Sequence, residues 1–440
     1  MTVDILVLGG GFVGSVMATV LAESGHRVQL LEADPARRQG LRKGTPHFEE
    51  PGLAQALGAQ VRAGLLEVPE SLQEARVPQV AIVCVGTPPA PDGSADLSQV
   101  LEASRDAARK MGSGVLAVKS TVPPGTLRGK VAPAVASVAP GVRCASLPEF
   151  LAEGDALRGA RKPERVVIGT DHPEAADVLA AIHGSTGAAI LRTDPTTAEA
   201  TKYCANAMLA IRVGAVNELA DVCAAVGVDV DEVMRGVGMD PRIGSRYLVA
   251  GLGFGGSCFP KDVSALLSLA NEQGVGMPLL SQVLQSNHER PALVVDMLER
   301  ELGTLRGKQV ALLGLSFKPG TSDLRESRAV AVHRQLRKRG AMVVAHDPAA
   351  AAQFRREVPE AVLVAEPKDA LHGADGCIIG TAWDVYRELD WARLAGTMRE
   401  PVIVDAWRVV DPHGLPPQAR YRAIGRGVPA PALVVPGGAA

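Results

Sequence analysis

The stretch of the chain best suited to chemistry surrounds Cys258, in the run Gly251-Leu252-Gly253-Phe254-Gly255-Gly256-Ser257-Cys258-Phe259-Pro260-Lys261-Asp262. Four glycines in six residues allow the backbone to close against a ligand. Pro260 is typical of a first helical turn, so we expect Cys258 directly before a helix. The helix dipole, its free amides and Lys261 would stabilise a thiolate there, and Asp262 would face the same cavity. The pattern therefore predicts a nucleophilic cysteine.

Two further pairs of residues have spacings that suit catalysis. Lys202 and Asn206 lie one turn apart on a predicted helix, where an ammonium and an amide can orient a water and stabilise an oxyanion. Glu149 and Glu153 are also four residues apart, as carboxylates for acid–base work can be. Solvated helix faces carry the same pairs, so the residue types alone leave both interpretations open.

A glycine motif near the N-terminus predicts a dinucleotide site. Gly9-x-Gly11-x-x-Gly14 stands between an apolar strand and a helix, where the glycines allow a tight turn, close approach of a pyrophosphate and close packing of the helix. Glu32 ends the next strand at the spacing expected for a ribose ligand. A carboxylate there repels a 2′-phosphate, which favours NAD over NADP. Arg37 and Arg38 leave NADP open, since arginines can accept that phosphate.

Alternating strand and helix patterns predict an α/β chain with two doubly wound parallel sheets. The first sheet domain is expected over residues 1–193, and an almost wholly helical connector over 194–304. Strand–helix alternation returns over 305–426, where Gly340 and Asp347-Pro348 echo Gly25 and Asp34-Pro35. Residues 427–440 are rich in Pro, Gly and Ala, and we expect a poorly ordered tail.

Composition excludes several classes of function. A net charge of −2, with 47% hydrophobic and 21% charged residues, gives no basic field for nucleic acid or an anionic membrane. We expect no signal peptide and no membrane span. Six scattered cysteines without a CxxC pair favour reduced thiols in the cytoplasm. The nine histidines follow no metal-binding pattern, so we expect no metal site.

From about Asp4 to Asp411 the sequence resembles the UDP-glucose/GDP-mannose dehydrogenase family. The family's landmarks appear in order, and beyond the motifs already described they are Glu50-Pro51-Gly52-Leu53, Val85-Gly86-Thr87-Pro88, Lys119-Ser120-Thr121-Val122-Pro123-Pro124-Gly125-Thr126, Pro148-Glu149-Phe150-Leu151, Asn217-Glu218, Arg242-Ile243-Gly244 and Phe317-Lys318-Pro319-Gly320-Thr321-x-Asp323-x-Arg325-Glu326-Ser327.

The resemblance implies a specific architecture and reaction. It implies two Rossmann-like domains, the first binding NAD and the last binding a nucleotide sugar, joined by a long central helix that forms a homodimer. The implied reaction is a four-electron oxidation of the sugar's C6 alcohol to a carboxylate, using two NAD in succession. Cys258 would hold the half-oxidised sugar as a thiohemiacetal and then a thioester. Lys202, Asp262 and a water held by Asn206 would assist proton loss.

The resemblance also assigns the remaining site residues. Glu149 would be the base for thioester hydrolysis, Thr121 would position a water, and Glu153 would adjoin cofactor and substrate. Expected cofactor contacts are Gly9, Gly11, Phe12, Val13, Gly14, Glu32, Arg37, Thr87, Thr121, Glu153, Lys261 and Arg325. Expected substrate contacts are Glu149, Phe150, Leu151, Ala152, Glu153, Lys202, Asn206, Val249, Gly251, Gly253, Phe254, Gly255, Phe317, Lys318 and Arg408, with Arg242 reaching the site of the partner subunit.

The sequence departs from the family pattern at three places. Leu147 replaces a usual Asn, Glu32 replaces a commoner Asp, and Asp405-Ala406-Trp407-Arg408 replaces Asp-Gly-Arg, which puts the role of Arg408 in doubt. Local features resemble the UDP-glucose branch, including Cys258-Phe259 in place of Cys-Leu. TDP-glucose, GDP-mannose and a UDP-N-acetylhexosamine remain alternative substrates. An inactive nucleotide-sugar-binding regulator remains an alternative of another class.

Overall fold

The apolar runs of the sequence form strands in the computed structural model, which describes residues 2–427. The strands are β1 Asp4–Leu8, β2 Arg27–Leu31, β3 Leu66–Glu67, β4 Val80–Val83, β5 Ser113–Val118, β6 Gly141–Ser146, β7 Arg165–Gly169, β8 Ala189–Thr193, β9 Gln309–Leu313, β10 Met342–His346, β11 Val362–Leu363, β12 Gly376–Ile379, β13 Val402–Asp405 and β14 Arg420–Ala423. Apart from Gly427, the predicted tail lies outside the described residues.

Helices connect these strands and fill the middle of the chain, as predicted. They are α1 Phe12–Glu23, α2 Pro35–Arg42, α3 Leu53–Arg62, α4 Ser98–Met111, α5 Ala132–Ala136, α6 Ala156–Arg161, α7 Pro173–His183, α8 Pro195–Ala225, α9 Val230–Gly238, α10 Phe259–Glu272, α11 Pro278–Leu302, α12 Arg328–Lys338, α13 Ala351–Glu357, α14 Pro367–Leu371, α15 Asp384–Arg387 and α16 Trp391–Ala395. Within residues 2–427, no helix combines the length and apolar character that crossing a membrane requires.

The first compact unit comprises residues 2–206 and 261–276. Its eight-stranded sheet has the order β3-β2-β1-β4-β5-β6-β7-β8, and only the β6–β7 pair is antiparallel. Side chains alternate across the sheet, so Ile5 and Val7 join the core on one face while Leu6 and Leu8 join the core on the other. The order 3-2-1-4-5-6 within this sheet is that of a Rossmann fold, as predicted.

Of the described residues, the second compact unit comprises 207–260 and 277–427. Its six strands run parallel in the order β11-β10-β9-β12-β13-β14, which is again the Rossmann order. The predicted fold class is therefore confirmed. The long helix α8 contributes to both units, with the change at Asn206. The three-domain division expected from the sequence stays a prediction.

The two sheets fix the loop after their first strand in the same way. Gly9 and Gly314 have φ of +101° and +98°, and their N–H groups donate to the last carbonyl of the neighbouring strand. A carboxylate beyond that strand then accepts the next N–H groups: Glu32 accepts from Gly10, and Asp347 accepts from Leu315 and Ser316. Each sheet therefore holds a fixed backbone loop at its carboxyl edge, where such folds bind nucleotides.

Candidate active site

The glycine motif leaves the start of α1 open. A Cβ atom on Gly14 would lie 1.8 Å from the carbonyl oxygen of Gly9, so this glycine is needed for close packing of the helix. A Cβ on Gly11 would have no neighbouring atom within 4 Å. Phe12 and Val13 form the first turn of α1 behind it. The free amides of this turn are therefore accessible to a pyrophosphate, and the loop fits a dinucleotide.

Glu32 is fixed at the end of β2 by the backbone. It is buried and accepts N–H groups from Gly10 at 3.1 Å and Asp34 at 2.8 Å. Arg38 donates to the carbonyl of Glu32 and pairs with Glu70 at 2.6 Å, while Arg37 lies exposed on α2. A fixed carboxylate with Arg38 bound elsewhere favours a ribose hydroxyl over a 2′-phosphate.

Lys202 and Glu149, both predicted to be catalytic, form a buried ion pair. Their charged atoms lie 2.9 Å apart, and the side chains are 5% and 7% exposed. Glu149 also accepts the N–H of Leu151 at 2.5 Å. Burial alone would raise the pKa of Glu149, but Lys202 and this N–H together lower it below its ordinary value. Glu149 is therefore held as a carboxylate beside an ammonium, in low dielectric.

A second polar group joins Asn206, Asp262, Lys261 and Thr87. Asn206 donates to one oxygen of Asp262 at 2.6 Å, and Lys261 donates to the other oxygen at 2.6 Å. Lys261 also donates to the hydroxyl of Thr87 at 3.2 Å. The structure thus brings two predicted catalytic residues together with two predicted cofactor contacts. This arrangement can orient a water and move a proton at the carboxylate.

The segment Glu149–Glu153 is an extended loop and turn, so its two carboxylates do not share a helical face. Phe150 lies under the guanidinium of Arg165, 3.9 Å from its ring centroid, and the ammonium of Lys202 is 5.5 Å from the same ring. The loop lies beyond β6, at the same edge of the sheet as the glycine motif. Leu151, Ala152, Glu153 and Thr121 are partly or fully exposed.

Cys258 lies directly before Phe259, the first residue of α10, as predicted. Its sulfur is 3.5 Å from the hydroxyl of Ser257, and the side chain is partly exposed. Gly253 and Gly256 have φ of +98° and +81°, a region that favours glycine. The loop before the cysteine is thus built from conformations that other residues rarely adopt.

The same loop packs closely against the segment after β9. A Cβ on Gly255 would lie 2.4 Å from the carbonyl oxygen of Glu326, and a Cβ on Gly256 would lie 2.9 Å from the ring of Phe317. Gly256 donates to the carbonyl of Arg325 at 2.9 Å. Phe317 and the glycine loop, both predicted to bind the substrate, are therefore neighbours, and Phe254 within the loop is buried.

Five further residues that were predicted to contact substrate or cofactor are Arg408, Lys318, Arg325, Arg242 and Val249. Arg408 is buried and donates to Asp231 at 2.7 Å and to the carbonyls of Ala250 and Ile424 at 3.0 and 3.1 Å. It holds the start of the glycine loop, and its contact with substrate stays a prediction. Lys318 is partly exposed, while Arg325 is exposed and pairs with Asp323. Arg242 pairs with Asp240 and, like Val249, is exposed.

Two of the departures from the family pattern are explained by packing. Leu147 is fully buried in the core of the first unit, so it replaces a polar residue without reaching the loop surface. The ring of Trp407 occupies the space beside Gly251, where a Cβ would lie 2.4 Å from it, and its indole N–H donates to Gly380 at 2.9 Å. The insertion of Trp407 is thus accommodated by a glycine of the loop.

Except for Cys204, the remaining cysteines are poor nucleophile candidates. Burial raises the pKa of Cys84 to about 12 and that of Cys144 to about 11. Burial also raises the pKa of Cys377, and Cys223 is buried. Cys204 is exposed on α8. Among residues 2–427, no cluster of three or more His, Cys, Asp or Glu side chains is placed to hold a metal ion.

Lys119 and Glu199 were not predicted to be site residues. Lys119 follows β5, donates to the carbonyl of Leu147 at 3.4 Å, and has its pKa lowered by burial. Glu199 is buried and accepts N–H groups from Gly125 at 2.6 Å and Leu127 at 2.8 Å. Two features of the sequence could have indicated them. Lys119 is a charged residue directly after an apolar strand, and Glu199 lies three residues before Lys202 on the same face of its helix.

Comparisons with known proteins identify the family. Residues 3–186 match the NAD-binding domain of the UDP-glucose/GDP-mannose dehydrogenase family, 196–289 its central domain and 311–412 its UDP-binding domain. A UDP-glucose 6-dehydrogenase of Pseudomonas aeruginosa is 39% identical over 92% of this chain and 93% of its own length. The chain belongs to the UDP-glucose/GDP-mannose dehydrogenase family. Membership makes the protein an NAD-dependent oxidoreductase, so the expected cofactor is confirmed.

Solved structures of the family agree with this fold over nearly the whole chain. The chain is similar to a UDP-glucose dehydrogenase from Pyrobaculum islandicum, with a TM-score of 0.92 and 42% identity over 97% of this chain and 98% of that one. It is also similar to a UDP-D-ManNAc dehydrogenase from Pyrococcus horikoshii, with a TM-score of 0.87 and 27% identity over 97% and 100%. The dehydrogenase fold thus accounts for both units.

The first prediction separates the packing role of Gly14 from the cofactor role of Gly11. We expect Gly14→Ala to lower the free energy of unfolding by about 3 kcal/mol, because its Cβ would overlap a carbonyl oxygen. Gly11→Ala has room for its methyl group, so its stability should match the parent, while its NAD affinity falls about tenfold. Denaturant unfolding and NAD titration measure the two effects. Equal NAD affinity in Gly11→Ala and the parent would contradict the assignment.

Proposed function

We propose that the protein is a UDP-glucose 6-dehydrogenase, which oxidises the C6 alcohol of UDP-glucose to the carboxylate of UDP-glucuronate. The position of Cys258 carries the proposal, because a thiol directly before a helix is suited to covalent catalysis. An oxidation that stopped at the aldehyde would not need a nucleophile. NAD, when bound, supplies the hydride acceptor for both oxidations.

In the first oxidation, the enzyme's part is to remove the hydroxyl proton and stabilise the resulting oxygen. Asp262 is held by Asn206 and Lys261, an arrangement that fixes its carboxylate for proton transfer through a water. Lys202 is a buried ammonium whose positive charge stabilises an alkoxide. Loss of the proton and of a hydride turns the alcohol into an aldehyde.

In the second oxidation, Cys258 keeps the aldehyde on the enzyme. Its sulfur adds to the carbonyl carbon, and the oxygen takes a proton to give a thiohemiacetal. That carbon again carries a hydrogen and a hydroxyl, so loss of a proton and a second hydride gives a thioester. Lys202 stabilises the oxyanion at each stage.

Hydrolysis of the thioester completes the reaction. Glu149 is held as a carboxylate by its buried contacts, and we assign it the role of base for the attacking water. Water adds to the thioester carbon, the carbon–sulfur bond breaks, and the thiol is regenerated with the carboxylate. We assign Thr121 to water positioning and Glu153 to substrate and cofactor contact, as the family motif implies.

The choice of UDP-glucose rests on similarity over nearly the whole chain. The relatives from Pseudomonas aeruginosa and Pyrobaculum islandicum are both named for UDP-glucose, at 39% and 42% identity. A UDP-N-acetylhexosamine is the second candidate, since the Pyrococcus horikoshii structure shares the fold at 27% identity. TDP-glucose is a further candidate, because its base, thymine, differs from uracil by one methyl group, which typically changes binding by only about 1–3 kcal/mol.

The experiment that tests this function counts hydrides. The protein is incubated with NAD and UDP-glucose, TDP-glucose, GDP-mannose or UDP-N-acetylmannosamine, and NADH and product mass are measured. We expect UDP-glucose to be preferred, with two NADH formed per sugar. Cys258→Ser should release little uronate, while Cys204→Ser, which changes an exposed thiol, should match the parent. One NADH per sugar, or full uronate formation by Cys258→Ser, would contradict the proposal.

We also propose that the protein is a cytoplasmic homodimer assembled through α8. The support is an apolar row on the exposed side of that helix, in which Met208, Leu219 and Val222 are 60%, 48% and 59% exposed. Such a row is typical of an interface between helices. Arg242, with an 87% exposed side chain, is then assigned to the partner subunit's site. The six cysteines, all free, suit a reducing compartment.

Sedimentation velocity at micromolar concentration tests the assembly. We expect the parent to sediment as a dimer, and Leu219→Glu with Val222→Glu to shift it to the monomer, because charges would be buried at the interface. Val77→Glu, at an exposed valine of the first unit, is the matched control and should remain dimeric. A monomeric parent, or a dimeric double variant, would overturn the proposed interface.

A further inference from the structure

Two buried asparagines hold the glycine loop that precedes Cys258. Asn217 on α8 accepts the N–H of Gly251 at 2.8 Å. Asn287 on α11 accepts the N–H of Phe254 at 2.7 Å and donates to the carbonyl of the same residue at 2.9 Å. Both asparagines are only 4% exposed. Their amides therefore replace the hydrogen bonds that a regular strand or helix would give this backbone.

The position of Asn287 leaves no room for a side chain on the loop. A Cβ on Gly253 would lie 2.1 Å from the amide oxygen of Asn287, and Gly253 itself has a φ of +98°. The asparagine and the glycine thus fit one another. A longer or branched residue at either place would displace the loop, whose end carries the thiol.

Asn217 is itself supported by a buried arginine. Arg290 on α11 donates from Nη1 to Asp221 at 2.6 Å and to the backbone carbonyl of Asn217 at 3.4 Å. Its Nε and Nη2 atoms are buried and have no protein partner in the described structure, beside a cavity of about 200 Å³ that Asn217 and Asn287 also line. Hydrogen bonds from α8 and α11 thus converge on one short loop.

We propose that Asn217 and Asn287 are positioning residues that set the place and reactivity of the Cys258 thiol. The proposal rests on the proposed function, in which Cys258 is the nucleophile. The two amides act only through the backbone of Gly251–Phe254, four residues before the cysteine. A displacement of about 1 Å at a reacting atom can lower a rate about 100-fold, so the hydrogen bonds of these two asparagines directly affect kcat.

The test compares Asn217→Leu and Asn287→Leu with the conservative Asn217→Asp, which keeps an acceptor for Gly251. Asn271→Leu is the control, because Asn271 is an exposed amide on α10. Two quantities are measured in the full-length protein: kcat and KM with NAD and UDP-glucose, and the rate at which iodoacetamide alkylates Cys258. Peptide mass mapping separates Cys258 from Cys144 and Cys377, two buried thiols whose alkylation reports general loosening of the fold.

We expect both leucine variants to change Cys258 alkylation at least fivefold and to lower kcat on the order of 10- to 100-fold, with Cys144 and Cys377 remaining protected. Asn217→Asp should restore both quantities to within about twofold of the parent. Parent-like Cys258 alkylation in both leucine variants would overturn the proposal. So would new alkylation of Cys144 and Cys377 together with Cys258, since it would indicate general loosening. Alkylation needs no substrate, so the positioning role of the two asparagines is tested even if UDP-glucose is not oxidised.

Discussion

Burial of charge is the constraint on which the first unit depends. Lys202, Glu149 and Asp262 are each less than a tenth exposed. An isolated charge in such surroundings costs several kcal/mol, and only a fixed opposite charge or hydrogen bond offsets this cost. The contacts at 2.6–2.9 Å therefore require α8, the loop after β6 and the start of α10 to keep their places. Removing one partner would leave a buried charge uncompensated.

The same burial makes these residues suited to catalysis. A carboxylate and an ammonium that are already held in low dielectric need little rearrangement when charge develops on a substrate oxygen. Water molecules, by contrast, would have to reorient before they could stabilise the same charge. Glu199 adds to this arrangement, because it joins the face of α8 that carries Lys202 to the backbone after Gly125. Folding of the first unit therefore places these charged groups before any substrate binds.

Backbone geometry has the matching role in the second unit. Gly253, Gly255 and Gly256 give a loop that no other residues would allow, because neighbouring atoms occupy the places of their Cβ atoms. Such a loop has few hydrogen bonds of its own. Arg408 holds its start through the carbonyl of Ala250, and Asn217 holds the next amide. Side chains from distant elements thus supply the order that local structure lacks.

Local patterns predicted much of this structure. The alternation of strands and helices, the helical middle of the chain and the place of Cys258 before α10 follow from apolar periodicity and from Pro260. The glycine motif predicted the dinucleotide loop, since its spacing is a property of one turn. These features depend on residues close together in the sequence, where the rules of helix and strand formation apply.

Long-range pairing could not be predicted in the same way. Lys202 pairs with Glu149 across 53 residues, and Asn287 reaches Phe254 across 33. Sequence spacing suggested a pair of carboxylates at Glu149 and Glu153, but the chain between them is an extended loop, so the two side chains do not share a helical face. Nor did the residue types show that Arg408 is buried against Asp231. Such contacts are decided by the packing of whole elements.

The central claim is that the sugar becomes bonded to one sulfur atom during turnover. The most direct measurement is acid quenching of the enzyme during steady turnover with NAD and UDP-glucose, followed by mass analysis of its cysteine peptides. The account predicts a hexuronyl-nucleotide adduct on the peptide that contains Cys258, which disappears when the substrate is exhausted. An adduct on another cysteine, or turnover with Cys258 unmodified at every time point, would contradict it.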